Sequence, residues 1–108
     1  MIVMKFGGTS VADATAMHNV AKIVGENIHR KPIVVISAIA HGTNLLESIG
    51  FSAAEGNREK AFEFIFSFIE KHRKIVHEGI SSQQNREKLL EKISMSEKKL
   101  YELSEGVF

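Results

Sequence analysis

Four β-branched residues stand in a row at Ile33-Val34-Val35-Ile36, directly after Pro32 and with no polar residue among them. A strand with one wet face alternates apolar and polar residues, whereas a strand covered on both faces of a parallel sheet reads as an unbroken apolar run. Parallel neighbours need a crossover, usually a helix. The run therefore predicts an α/β fold, with a partner strand and a crossover helix upstream.

Both can be read there. Residues 2–6, Ile-Val-Met-Lys-Phe, form a short strand pattern that stops at Gly7-Gly8. Over residues 11–28 the period changes: Met17, Val20, Ala21, Val24 and Ile28 make the apolar stripe of an amphipathic helix. Ser10 with Asp13 resembles a capping-box start, Asp replacing the usual Glu or Gln. His29-Arg30-Lys31 set cations at the helix C-terminus, and Pro32 blocks its continuation. Strand, helix, strand predicts a right-handed βαβ unit. Residues 37–42 read as a loop, and Thr43 or Asn44 caps a short helix to about residue 51.

The second half has no strand pattern. Asn57 can cap a helix running to about Glu78, with Gly79 as its stop. Phe62, Ile65, Phe66, Ile69 and Val76 form one stripe on it, and Ala61, Phe64, Phe68 and Ile75 a second beside it. So wide an arc predicts burial on two sides. A further helix spans about Gln84 to Ser104, with Ser81-Ser82-Gln83 as the turn of a helical hairpin. The reading divides the chain into a βαβ unit, 1–50, and a helical hairpin, 51–108. Two strands are few for a parallel sheet, and the hairpin offers more apolar surface than one βαβ unit absorbs. The 108 residues are expected to be the opening section of a larger α/β domain.

Charge and composition narrow the function. A formal net charge of +1 leaves no basic surplus for nucleic acid or anionic lipid. The absence of cysteine excludes disulfides and thiolate chemistry. The longest apolar stretch, residues 33–40 with Ser37 inside it, is far too short to cross a bilayer, so no membrane partner and a cytoplasmic address are expected. His18, His29, His41, His72 and His77 form no metal-ligating pattern, and no metal site is expected.

The sharpest local signal is Lys5-Phe6-Gly7-Gly8-Thr9-Ser10, between the first strand and the helix. Glycines let a backbone approach a ligand closely, a helix N-terminus favours an anion, and Lys5 adds a full positive charge. Thr9 and Ser10 add hydroxyl donors. The lysine precedes the glycines, so this is neither a Walker A loop nor GxGxxG. Local chemistry alone leaves two readings open: a phosphate cradle, or a glycine-rich turn beside a solvated lysine.

The same residues carry a resemblance. Lys5-Phe6-Gly7-Gly8-Thr9-Ser10-Val11 resembles the opening of the aspartokinases, in the amino acid kinase superfamily, at all seven positions. Val34-Val35-Ile36-Ser37-Ala38 followed by Gly42-Thr43-Asn44-Leu45-Leu46 is similar to that family's second block. His41 departs from the small residue typical there. Beyond residue 50 the likeness is one of pattern.

The resemblance implies the N-terminal part of an α/β/α sandwich. It also implies transfer of the ATP γ-phosphoryl group to the β-carboxylate of L-aspartate, the first step toward lysine, threonine and methionine. By it, Lys5 is catalytic and neutralises the β/γ-phosphates. Phe6, Gly7, Gly8, Thr9 and Ser10 belong to the ATP site, and Ser37, Thr43 and Asn44 to the aspartate site. Mg2+ would accompany ATP without a ligand identifiable here. By the same resemblance the chain ends before the family's Gly-Glu substrate motif and lacks its Gly-Arg-Gly-Gly-Ser-Asp loop, so the chain alone is expected to be inactive. Two alternatives stand beside this reading. One is an amino acid kinase with another acyl acceptor. The other is a non-catalytic module that self-associates through its helices, and a homo-oligomer is expected in any case.

Overall fold

The computed structural model describes residues 1–107. Strands β1 (Ile2–Phe6) and β2 (Pro32–Ile36) pair in parallel, Ile2 opposite Pro32 through to Phe6 opposite Ile36. Between them run a 3-10 turn, Gly8–Val11, helix α1 (Ala14–Glu26) and a second 3-10 turn, Ile28–Arg30. The α/β class and the strand–helix–strand order therefore stand as read.

The helix is shorter than the 11–28 span of helical period, beginning at Ala14 and ending at Glu26. Asp13 is the N-cap: its backbone is extended and its carboxylate accepts the Ala16 N–H at 2.8 Å. Ser10 cannot serve, because it lies inside the 3-10 turn, its own N–H donating to the Gly7 carbonyl at 3.0 Å. An N-cap needs extended backbone, and only Asp13 has it.

Two compact units divide the chain, Met1–His41 and the residues from Gly42 onward. In the first, the β-branched run is not covered on both faces as its composition predicts. Ile33, Val34, Val35 and Ile36 are each 40–59% exposed. The reason is a shortage of cover: this unit has a single α-helix, and a parallel sheet is buried only when helices lie on both of its faces.

The second unit is helical: α2 (Gly42–Ala54), α3 (Arg58–Gly79) and α4 (Gln83–Val107). Helix α2 begins one residue before Thr43, which with Asn44 forms its first turn rather than its cap. It also runs past residue 51 and ends in a Schellman motif, with Gly56 N–H on Ala53 O at 3.0 Å and Asn57 N–H on Ser52 O at 2.9 Å. That motif needs a left-handed residue, supplied by Gly56 at φ 74°. Asn57 caps α3, its side-chain oxygen accepting the Lys60 N–H at 3.1 Å.

Residues 80–82 turn the chain into α4, fastened by Arg86, whose Nε donates to the Ile80 carbonyl at 3.2 Å. The core of this unit is Ile49, Ile65 and Ile69, enclosed by Phe62, Phe64 and Phe68 of α3 and Ile93, Leu100 and Tyr101 of α4. Each fully buried aliphatic side chain contributes about 1.5–3 kcal/mol. Phe62 meets Tyr101 edge to face, with ring centroids 4.8 Å apart.

Candidate functional site

Because β1 and β2 are parallel, their C-terminal ends lie side by side. There β1 delivers Lys5 and Phe6, and β2 is followed at once by Ser37. The Ser37 N–H donates to the Phe6 carbonyl at 3.0 Å, one rung beyond the ladder. In open α/β sheets this end of the strands is where ligands bind.

The glycine loop leaves this end against the segment after β2. A Cβ added at Gly8 would lie 3.5 Å from the Ala38 carbonyl oxygen and 3.8 Å from Ala40 Cα, ordinary contact distances. At Gly7 an added Cβ would meet nothing within 4 Å. Neither glycine has positive φ, Gly7 sitting at φ −78°. Backbone conformation therefore does not demand glycine at position 7, nor does internal packing. What glycine preserves there is open space over the loop backbone, the condition for close approach of a ligand.

Alternation along β1 sets Lys5 on the exposed face with Val3, while Phe6 shares the half-buried face with Ile2 and Met4. The contribution of Phe6 to this end is thus its carbonyl, not its ring. The Lys5 ammonium makes no ion pair or side-chain hydrogen bond among the described residues, and the exposed hydroxyls of Thr9, Ser10 and Ser37 likewise make none. One expectation changes. The N-terminus of α1 is separated from the glycines by the 3-10 turn and is already served by the Asp13 carboxylate. The groups left for an anion are Lys5, the loop N–H donors and the hydroxyls.

The structure thus brings Lys5 to Ser10 and Ser37 to one place. Thr43 and Asn44 belong to the helical unit, exposed in the first turn of α2. Gly8 is backed by Ala38 and Ala40; Ala38 belongs to the second block of the resemblance, but nothing in the sequence signals the approach of either residue to the glycine loop. His41 closes this segment in left-handed backbone, φ 66°, a region that few residues other than Gly adopt and in which Asn, Asp and His are enriched. Among the described residues no group of three or more His, Cys, Asp or Glu could hold a metal ion. Nor is any helix among them long and apolar enough to cross a membrane.

Residues 1–106 match the model of the amino acid kinase family. Over 101 residues, 88% of this chain, the sequence is 37% identical to the lysine-sensitive aspartokinase 3 of Escherichia coli (strain K12). Over 51 residues, 47% of this chain, it is 51% identical to the chloroplastic aspartokinase 3 of Arabidopsis thaliana. The matched parts span 21% and 9% of those two relatives' lengths.

Proposed function

The chain belongs to the amino acid kinase family, and on that premise we propose that it supplies the phosphate-binding side of an aspartokinase active site. The reaction is ATP-dependent phosphorylation of L-aspartate. A β-carboxylate oxygen attacks the γ-phosphorus, the bond from that phosphorus to the β-phosphate bridging oxygen breaks, and aspartyl phosphate and ADP result. The carboxylate, with a reference pKa of about 3.9, is already ionised at neutral pH, so no general base is required. What the reaction needs is neutralisation and alignment of two anions.

The observation that carries the reading is the convergence of Lys5, the open backbone at Gly7 and Ser37 at the C-terminal ends of two parallel strands. Lys5 offsets phosphate charge, Gly7 and Gly8 present N–H donors to the transferring phosphoryl group, and Thr9 and Ser10 hydrogen-bond the nucleotide. Ser37, Thr43 and Asn44 hold aspartate in the complete site. Mg2+ would enter with the nucleotide, held chiefly by its phosphates, with no group of three or more His, Cys, Asp or Glu among the described residues to ligate it. The naming of aspartate as acceptor rests on the two aspartokinase relatives. The exposed apolar residues of the helical unit support self-association as a second property of the chain.

The test is a chimera in which this chain replaces the matched segment of the E. coli relative. Aspartokinase turnover is expected in the chimera, lowered about 10²–10³-fold by Lys5→Ala, the loss typical of removing one transition-state charge contact. The isolated chain is expected to show none. Turnover that is indifferent to Lys5→Ala removes the phosphate role, and a folded chimera that phosphorylates another carboxylate in place of aspartate removes the acceptor.

A further inference from the structure

Helix α3 carries apolar side chains on more of its circumference than α2 and α4 cover. Ile65 and Ile69 are buried, yet Phe66, the next residue after Ile65, is 58% exposed. Glu59 and Glu63 lie seven and three residues before Phe66, on the same face of the helix. Together with Phe66 they line a shallow surface there. Neither carboxylate has an ion-pair partner among the described residues. This face is an aromatic ridge whose two carboxylates make no ion pair among the described residues, with the Arg58 guanidinium 5.9 Å from the Phe62 ring centroid at its N-terminal end.

The other flank of the same hairpin is its complement. A cleft of about 310 Å³ between α3 and α4 has Phe68 and Ile93 in its floor and Lys92 at its rim. Through Phe68 and Ser96 it continues to Leu100, Lys99 and Met95, and Met95 is 67% exposed. Lys92 and Lys99 are seven residues apart, two helical turns on one side of α4, and neither has a carboxylate partner among the described residues. This face is an apolar groove with uncompensated positive charge.

We propose that copies of this chain associate ridge to groove: Phe66 of one copy enters the Phe68–Met95 groove of another, with Glu59 and Glu63 meeting Lys92 and Lys99. The proposal rests on the self-association reading above and names the surface. Phe66 and Phe68 are two residues apart on one helix, a rotation of about 200°, so a chain cannot seat its own ridge in its own groove. A second copy offers the matching charge without any other protein. A formal net charge of +1 sets no long-range repulsion against the encounter.

Analytical ultracentrifugation of the 108-residue chain tests this, with a ridge variant, Phe66→Ser, and a groove variant, Lys92→Glu with Lys99→Glu. Circular dichroism checks that each is folded. The native chain is expected to associate with rising concentration, less so at high salt. Each variant alone should weaken association at least about tenfold. An equimolar mixture of the two should recover it as a one-to-one complex, since one retains the groove and the other the ridge. A native chain that stays monomeric overturns both this surface and the self-association reading. Association unchanged in both variants keeps self-association and moves it elsewhere, the exposed strands being the next surface. A mixture that fails to recover the complex overturns the ridge-to-groove pairing.

Discussion

Arg73 of α3 and Glu97 of α4 form a forked ion pair, Nη2 to Oε1 at 2.9 Å and Nη1 to Oε2 at 3.4 Å. The same guanidinium holds Glu70, one turn back on its own helix, at 2.8 Å. Both helices of the hairpin are thereby pinned by one cation. The two side chains are 25% and 23% exposed, less screened than a surface pair. Arg73→Ala is expected to destabilise the helical unit by about 1–2 kcal/mol in urea denaturation. Arg73→Lys should restore only part of it, because an ammonium cannot reproduce the fork. A cost equal to that of an exposed lysine's truncation would refute the clamp.

Tyr101 stands beside this clamp. Burial pushes its hydroxyl above the usual tyrosine value of 10.0, the Glu97 charge adds to the rise, and Arg73 partly opposes it. A raised folded-state pKa means that the unfolded chain loses its proton first as pH climbs. The contribution is therefore whole below pH 10 and is lost above it. Stability measured from pH 9 to 11 should fall in the native chain more steeply than in Tyr101→Phe; parallel curves would remove the effect.

Gly56 ends α2 at φ 74°, a conformation that penalises any Cβ even though open space surrounds the position. Gly56→Ala is expected to cost about 1 kcal/mol, seen as a lower midpoint with an unchanged denaturant slope. Gly56→Asn should cost less, since Asn tolerates the left-handed region. Equal losses for both would place the cause elsewhere than in backbone strain.

The two apolar runs of the chain should respond differently to truncation. Ile65→Ala, at a fully buried position, is expected to cost about 2–5 kcal/mol. Val35→Ala, at a position 48% exposed, should cost less than about 1 kcal/mol. Chemical denaturation of the two variants compares them directly, and similar losses would mean that β2 is covered in solution.

Much of this architecture is legible in the sequence because it depends on neighbours along the chain. The strands at 2–6 and 32–36, the cap at Asn57 and the long α3 follow from local period, from proline and from a side chain that can accept its own helix's N–H. The start of α1 is less legible, because an apolar stripe says which face is buried, not where extended backbone puts the cap; Asp13 has that backbone and Ser10 does not. In the candidate site, Lys5 through Ser10 stand out in the sequence as a glycine loop between strand and helix, although local chemistry leaves open whether it is a phosphate cradle or a turn. The contact of Gly8 with Ala38 and Ala40 does not, since residues thirty positions apart meet only through strand pairing.

Strand and helix periods and glycine's missing side chain act locally, so an α/β chain with a glycine loop at the end of its first strand is legible from residue order. Which apolar residues are core is not; that depends on how the elements pack. Ile65 and Phe66 are adjacent and both hydrophobic, yet one is sealed between helices and the other faces outward. The run from Ile33 to Ile36, the most core-like in composition, lies open on a two-stranded sheet. Burial belongs to the number and placement of neighbouring elements, and no residue carries that information in its own side chain.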